Sequence, residues 1–129
     1  TAGPFLLKRM QASSVARRQT HKPGLDGIES SRIFTLRTVE DTLKIKNYLT
    51  TYRPKSAVVV GGGFIGIEVA ENLKESGVDV TLVEASDQLM APFDRDMASF
   101  IHAQVRKTVF IDAGHTVEGF ADTDQGIAV

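Results

Sequence analysis

The sequence predicts an α/β fold: a small parallel sheet flanked by helices, with an antiparallel β-meander attached. Three observations carry that expectation. Ala57 to Val60 is a short run, apolar on both faces, and a strand of that kind needs cover on both sides, as in a parallel sheet. Gly66, Val69, Ala70 and Leu73 then recur at helical spacing, and Asp79 to Glu84 reads as a second strand, which gives strand–helix–strand order. From Thr108 onward the pattern changes to β-prone runs, Thr108 to Ile111 and Thr116 to Phe120, separated by Gly114 and followed by Gly126. An antiparallel meander fits these runs better than further helices.

The elements are justified in chain order. Residues 1 to 25 contain Lys8, Arg9, Arg17, Arg18 and Lys22 and no acid. They read as a basic arm or the remnant of a neighbouring domain, with a targeting peptide as the second reading. The first residue is Thr rather than Met, so a processed, tagged or partial product is expected. Pro23-Gly24 and Asp26-Gly27 are turn signals, and the domain proper is expected over residues 26–129. Arg32 to Leu36 is β-prone. Thr38 looks like an N-cap, with Glu40 and Asp41 placed favourably for the helix dipole. Val39, Leu43, Ile45 and Leu49 give that helix an apolar stripe, and Pro54 ends the connection after it. In the next helix Glu68, Glu71, Lys74 and Glu75 face away from the apolar positions, and Gly77 is its stop. Pro92 and Asp94 introduce a third helix, with Met97, Phe100, Ile101 and Val105 expected on its buried side.

Composition limits the function. A chain of 129 residues has room for one domain with a modest core. Fifteen basic against sixteen acidic residues leave a formal charge of −1, which gives no reason to expect nucleic acid or an anionic membrane as partner. The longest apolar stretch, Ala57 to Ile67, is eleven residues and too short to cross a bilayer. The sequence has no cysteine, so a disulfide, a dithiol pair and a thiolate nucleophile are excluded within it, and an intracellular, cytoplasmic setting is expected. His21, His102 and His115 are scattered and do not suggest a metal site. Asp94 and Asp96 are explained by a helix start. Tyr52 and Lys55 are one residue short of a Tyr-x-x-x-Lys spacing, and Gly-Lys-Ser/Thr is absent after the glycines.

One motif carries chemistry. Gly61-Gly62-Gly63-Phe64-Ile65-Gly66 matches G-x-G-x-x-G, directly after a buried strand and at the opening of a helix. Gly61 permits the tight turn, Gly63 lets a pyrophosphate approach the backbone, and Gly66 lets the helix pack closely on the sheet. The free N–H groups at the helix start supply an anion site without any basic side chain. Glu84 ends the second strand, 23 residues after Gly61, where a carboxylate can accept hydrogen bonds from ribose hydroxyls. Ala85-Ser86-Asp87-Gln88 offers no cation for a 2′-phosphate, so NAD(H) is expected over NADP(H). A Gly-rich bend with a solvent-facing Glu84 is the alternative without function.

The chain resembles the pyridine-nucleotide-binding domain of FAD-dependent pyridine nucleotide-disulfide oxidoreductases, in the branch of NADH oxidase, NADH peroxidase and coenzyme A-disulfide reductase. The residues responsible are Pro23-Gly24, Phe34 to Arg37 with Glu40-Asp41, Val58 to Glu68, Leu82 to Glu84, Met90 to Asp94, and Val117 to Phe120. The resemblance implies a Rossmann-like sheet, apparently incomplete at both ends, with Gly61 to Gly66, Ile65 included, on the pyrophosphate of NADH. It implies that Phe64 covers the flavin until the nicotinamide displaces it, that Glu68 lies near nicotinamide and flavin, and that Glu84 is the ribose acid. The implied parent is a homodimer that passes hydride from NADH to FAD and on to a disulfide, peroxide or dioxygen. The family's FAD domain, redox cysteine, last nucleotide-domain strand and dimerisation domain have no counterpart here, and Lys107 runs into Thr108 where the family has a longer turn. An incomplete piece, inactive alone and with no catalytic residue of its own, is therefore expected. Two other readings stay open: a stand-alone dinucleotide-sensing module, and a flavin-binding Rossmann unit.

Overall fold

The computed structural model describes residues 26–129 together with the backbone of Phe5–Lys8. The readings made for residues 9–25, as arm, targeting peptide or Pro23-Gly24 turn, lie outside the described residues. Five parallel strands form the main sheet: β1 (Phe5–Lys8), β2 (Ile33–Thr35), β3 (Ser56–Val60), β4 (Asp79–Glu84) and β5 (Phe110–Ala113), in the order β2-β1-β3-β4-β5. Helices α1 (Val39–Tyr52), α2 (Phe64–Glu75) and α3 (Arg95–Val105) connect β2 to β3, β3 to β4 and β4 to β5. Strands β6 (Ala121–Thr123) and β7 (Gly126–Ala128) make a separate antiparallel hairpin.

The helix boundaries follow from their caps. Thr38 and Asp41 form a reciprocal capping box at the start of α1, and Asp94 accepts from the Met97 N–H at the start of α3. Gly77, with φ of +85°, turns the chain out of α2. All three crossovers move in the same direction across the sheet, and right-handed connections then put every helix on one face. Accordingly Ile45 of α1, Ala70 and Leu73 of α2 and Val105 of α3 share one cluster with Ala57, Val59, Val80 and Leu82. The opposite face presents Val58 and Val60, which Phe120, Ile127, Val117, Ile28 and Ile33 cover.

Strand β1 lies inside residues 1 to 25, the segment read as a basic arm or the remnant of a neighbouring domain; its apolar run is only Phe5-Leu6-Leu7, too short for a periodic signal. Three sequence expectations are corrected. Thr108 to Ile111 was expected in the meander, but this part of the chain supplies β5, which pairs parallel with β4 from Thr81↔Phe110 to Glu84↔Ala113. Thr116 to Phe120 forms no strand. Its end is clipped to residue 26 by the Phe120 N–H on the Asp26 carbonyl at 2.8 Å, and the antiparallel pairing falls on β6 and β7 instead. The helix stripes are also narrower than expected. Val39 and Leu43 of α1, and Met97 and Phe100 of α3, are exposed, while α3 buries Ala98, Val105 and part of Ile101. A three-residue β2 cannot cover the length of α1, and Ala98 lets α3 sit closer to the sheet than Met97 would.

Gly66 fixes how α2 meets β3. A Cβ there would stand 1.8 Å from the Gly61 carbonyl oxygen, whereas one on Gly77 would meet nothing within 4 Å. Gly66→Ala is therefore expected to destabilise the fold by about 3 kcal/mol or more, the upper end for overpacking. Gly77→Ala, strained only by its left-handed backbone, should lose about 1–2 kcal/mol. Urea midpoints of the two variants check the ranking.

Candidate functional site

The site is built at the carboxyl end of β3, beside β1, where the strand order reverses. In open α/β sheets such a switch point is where ligands bind. The Gly61 N–H donates to the Val83 carbonyl at 2.8 Å, continuing the ladder one residue past β3, and its φ of +111° then turns the chain. Gly62 is buried. Its N–H donates to Glu84 Oε2 at 2.5 Å and its carbonyl accepts from the Met90 N–H at 2.8 Å. Gly63 is the N-cap of α2 and has no side chain to cap it; its carbonyl accepts the first helical bond, from the Ile67 N–H at 3.0 Å. The N–H groups of Phe64, Ile65 and Gly66 have no intrahelical acceptor. No acid stands in the first turn of α2 to compete for them.

Glu84, half-buried at the end of β4, is held from three directions. Its Oε2 takes the Gly62 N–H, its Oε1 takes the Ser86 N–H at 2.9 Å, and its carbonyl accepts from Gly114 and His115 at 2.9 and 3.2 Å. The loop that follows is fastened to the glycine turn. Leu89 is fully buried and lies where a Gly62 Cβ would come within 2.5 Å of it, and Met90 takes a left-handed backbone, φ 53°, to reach the Gly62 carbonyl. Gln88 Nε2 donates to the Phe93 carbonyl at 2.8 Å. The Phe93 ring meets Phe64 edge-on at 5.7 Å between centroids.

The structure therefore brings Gly61 to Gly66 and Glu84 together. Phe64, 67% exposed, and Ile65 face outward from the helix start. Glu68 lies further along α2, exposed, with its backbone carbonyl accepting from the Asn72 side chain at 2.8 Å. One ion pair in the loop after Glu84 was not read from the sequence. Arg95, the first of α3, pairs with Asp87 in the loop after Glu84. It follows Glu84 by eleven residues, beyond Ala85-Ser86-Asp87-Gln88, and no linear signal marks the pair. Elsewhere, His115 Nδ1 lies 2.6 Å from Asp112 Oδ1, and the His102 imidazole sits below its ordinary pKa because of burial and the adjacent Arg106. Among the described residues no three His, Asp or Glu side chains gather as a metal site, and no helix is long and apolar enough to cross a membrane.

A parallel sheet with a G-x-G-x-x-G turn at its switch point defines a Rossmann-type α/β domain. Residues 16–129 match the pattern of the pyridine nucleotide-disulphide oxidoreductases, and the chain belongs to that family. It is 44% identical over 75 residues to the coenzyme A disulfide reductase of Staphylococcus haemolyticus, an overlap of 58% of this chain and 17% of that protein. The reduced CoADR-RHD of Bacillus anthracis superposes with a TM-score of 0.74 at 37% identity, over 95% of this chain and 21% of that one. The water-forming NADH oxidase of Lactobacillus brevis, solved bound to NADH, gives 0.72 at 33% identity, over 81% and 23%. The chain thus spans about a fifth of the length of the relatives it matches.

Glu84 joins the end of β4 to the glycine turn through charge-assisted hydrogen bonds, worth about 1.5–3 kcal/mol when lost. Glu84→Ala should lower stability by about that amount. The Gly62 and Ser86 amides should exchange hydrogen faster while those in the middle of β3 stay protected. Unchanged exchange at both amides would mean that the carboxylate does not hold the turn.

Proposed function

We propose that this chain is the NAD(H)-binding portion of an FAD-dependent oxidoreductase. One observation carries the reading: a bare helix N-terminus, capped only by Gly63, stands at the switch point of the sheet beside a fixed carboxylate. Backbone N–H groups on Phe64, Ile65 and Gly66, with the positive end of the α2 dipole, are the donors a pyrophosphate needs. Gly63 would let it approach. Each Glu84 oxygen accepts one backbone N–H and keeps further lone-pair capacity, which suits ribose hydroxyls.

Bound NADH would supply hydride to the flavin of the parent enzyme, which would pass electrons to a disulfide, peroxide or dioxygen. Phe64, exposed at the helix start, would cover the flavin, and Glu68 would face the same side. The FAD domain of a homodimeric, cytoplasmic parent is the partner this reading calls for. It is supported by family membership and by the likeness to an NADH oxidase solved with NADH.

Calorimetry with NADH and NADPH tests it. Gly63 has φ of −82° and ψ of −174°, a backbone that any residue adopts, so Gly63→Val should fold and yet lose NADH binding. Glu84→Arg should weaken NADH about tenfold to a hundredfold and improve NADPH, shifting preference from both ends. Undiminished NADH affinity in a folded Gly63→Val variant, or a wild type that prefers NADPH, would overturn the reading.

A further inference from the structure

We propose that the amino end of the main sheet carries a docking groove for a short acidic segment of a partner protein. The segment presents an apolar side chain with carboxylates on either side of it. The groove has no part in the nucleotide reading: Lys55 and Gly61 flank β3 at opposite ends, about 20 Å apart along the strand.

The groove forms where α1 and α2 run out, just before β3 and β4 begin, and has a volume of about 540 Å³. Among the residues lining it, Pro54 and Val78 are buried and Leu49 is half-buried, which gives it an apolar floor. Arg53 and Lys55 also line it, and both are exposed. Among the described residues neither of these two side chains has a hydrogen bond or an ion pair. Lys74, by contrast, is held by Asp79 at 2.8 Å. Two uncommitted cations therefore stand beside apolar surface.

The backbone at Arg53 shows that helix stability does not account for it. Both helices close at this groove with a left-handed residue. α2 uses Gly77, φ +85°, whereas α1 uses Arg53, φ +46°. Only glycine takes this conformation without steric cost. A cation favours the end of α1, but one inside the last turn would do so without strain, and that turn has no basic residue. Lys55 lies outside both helices and has no such duty.

Chemistry selects the partner. Single carboxylates meet a guanidinium and an ammonium in charge-assisted hydrogen bonds, and an apolar side chain between them covers the floor. A densely charged polyanion suits the groove less. Two helices direct their negative ends at it, and the exposed Asp79 lines it. Among the described residues lining it there is no aromatic ring on which a base could stack.

The test follows amide shifts of the 129-residue chain during titration with the capped peptide EELEE. The amides of Arg53, Lys55, Ser76 and Gly77 should move together, and high salt should weaken the binding. Lys55→Gln should lower the affinity about two- to fivefold. A peptide with Ser in place of Leu should bind about threefold more weakly or worse. Arg53→Gly separates the groove from the helix. It should lose about two- to fivefold in affinity while its urea midpoint stays level or rises, because glycine suits the left-handed backbone. An Arg53→Gly variant that loses stability and keeps its affinity overturns the proposal, since Arg53 then serves α1. So does a peptide that moves none of these amides, or one whose affinity ignores both substitutions. Octathymidylate that shifts them where EELEE does not would make the surface one for nucleic acid, and overturns the assignment too.

Discussion

The close approach of α2 to the end of β3 is the constraint on which the rest of the site depends. The Gly61 carbonyl occupies the place where a Gly66 Cβ would stand, 1.8 Å away, so helix and turn share space that only glycine leaves free. With the helix so close, its first-turn N–H groups open at the carboxyl end of the strand. Gly62 is turned inward, where Glu84 takes its N–H and Met90 donates to its carbonyl. A larger residue at position 66 would push α2 outward, and both the bare start of the helix and the anchorage of Glu84 would move with it.

Glu84 holds the turn and, on the proposed reading, has a second duty that pulls in the same direction. Its carboxylate satisfies the buried Gly62 N–H and the Ser86 N–H, near the positive end of α2, where a negative charge is favoured. Those bonds leave acceptor capacity over, and they fix the direction in which it points. A ligand meeting this carboxylate meets one already held by the backbone, so little ordering of the side chain is left to do. The same rigidity makes Glu84 a poor neighbour for a second anion, because the charge cannot swing away. On the proposed reading, stability and selectivity are coupled in a single side chain.

Much of this was legible in the sequence because it rests on local rules. Asp79 to Glu84 matches β4 residue for residue, and the Thr38 and Asp94 caps are where the residue types put them. The glycine turn was legible at Gly61, whose positive φ makes the turn, and at Gly66, where the helix packs against the turn too closely for a Cβ. What was not legible depends on contacts distant in sequence or on direction. A β-prone run does not state whether it will pair parallel or antiparallel, so Phe110 to Ala113 was assigned to the meander although it adds to the β4 edge. On α3, Ile101 and Val105 fit a face that starts at Met97 or at Ala98, and packing against the sheet chose Ala98. Arg95 was invisible because its partner Asp87 is reached through a folded loop and not through spacing.

Topology explains why a strand apolar on both faces can have helices on only one. Three crossovers in a single direction put α1, α2 and α3 on the side of Val59 and leave Val58 and Val60 facing the other way. That face is closed by Phe120 and Ile127 near the C-terminus, together with Ile28 and Ile33. These pieces are tied by the Phe120 N–H on Asp26 and by Arg32, which donates to the Thr123 carbonyl and lies 3.9 Å from the Asp122 carboxylate. A Cβ on Gly27 would strike the Phe120 carbonyl at 2.0 Å, so the two stretches meet at backbone contact. The glycine turn therefore depends on residues with no part in its chemistry. Strand β3 can present Gly61 at its end only while both its faces are buried, and one of those faces is supplied by Ile28 and Ile33 before α1 and by Val117, Phe120 and Ile127 after β5.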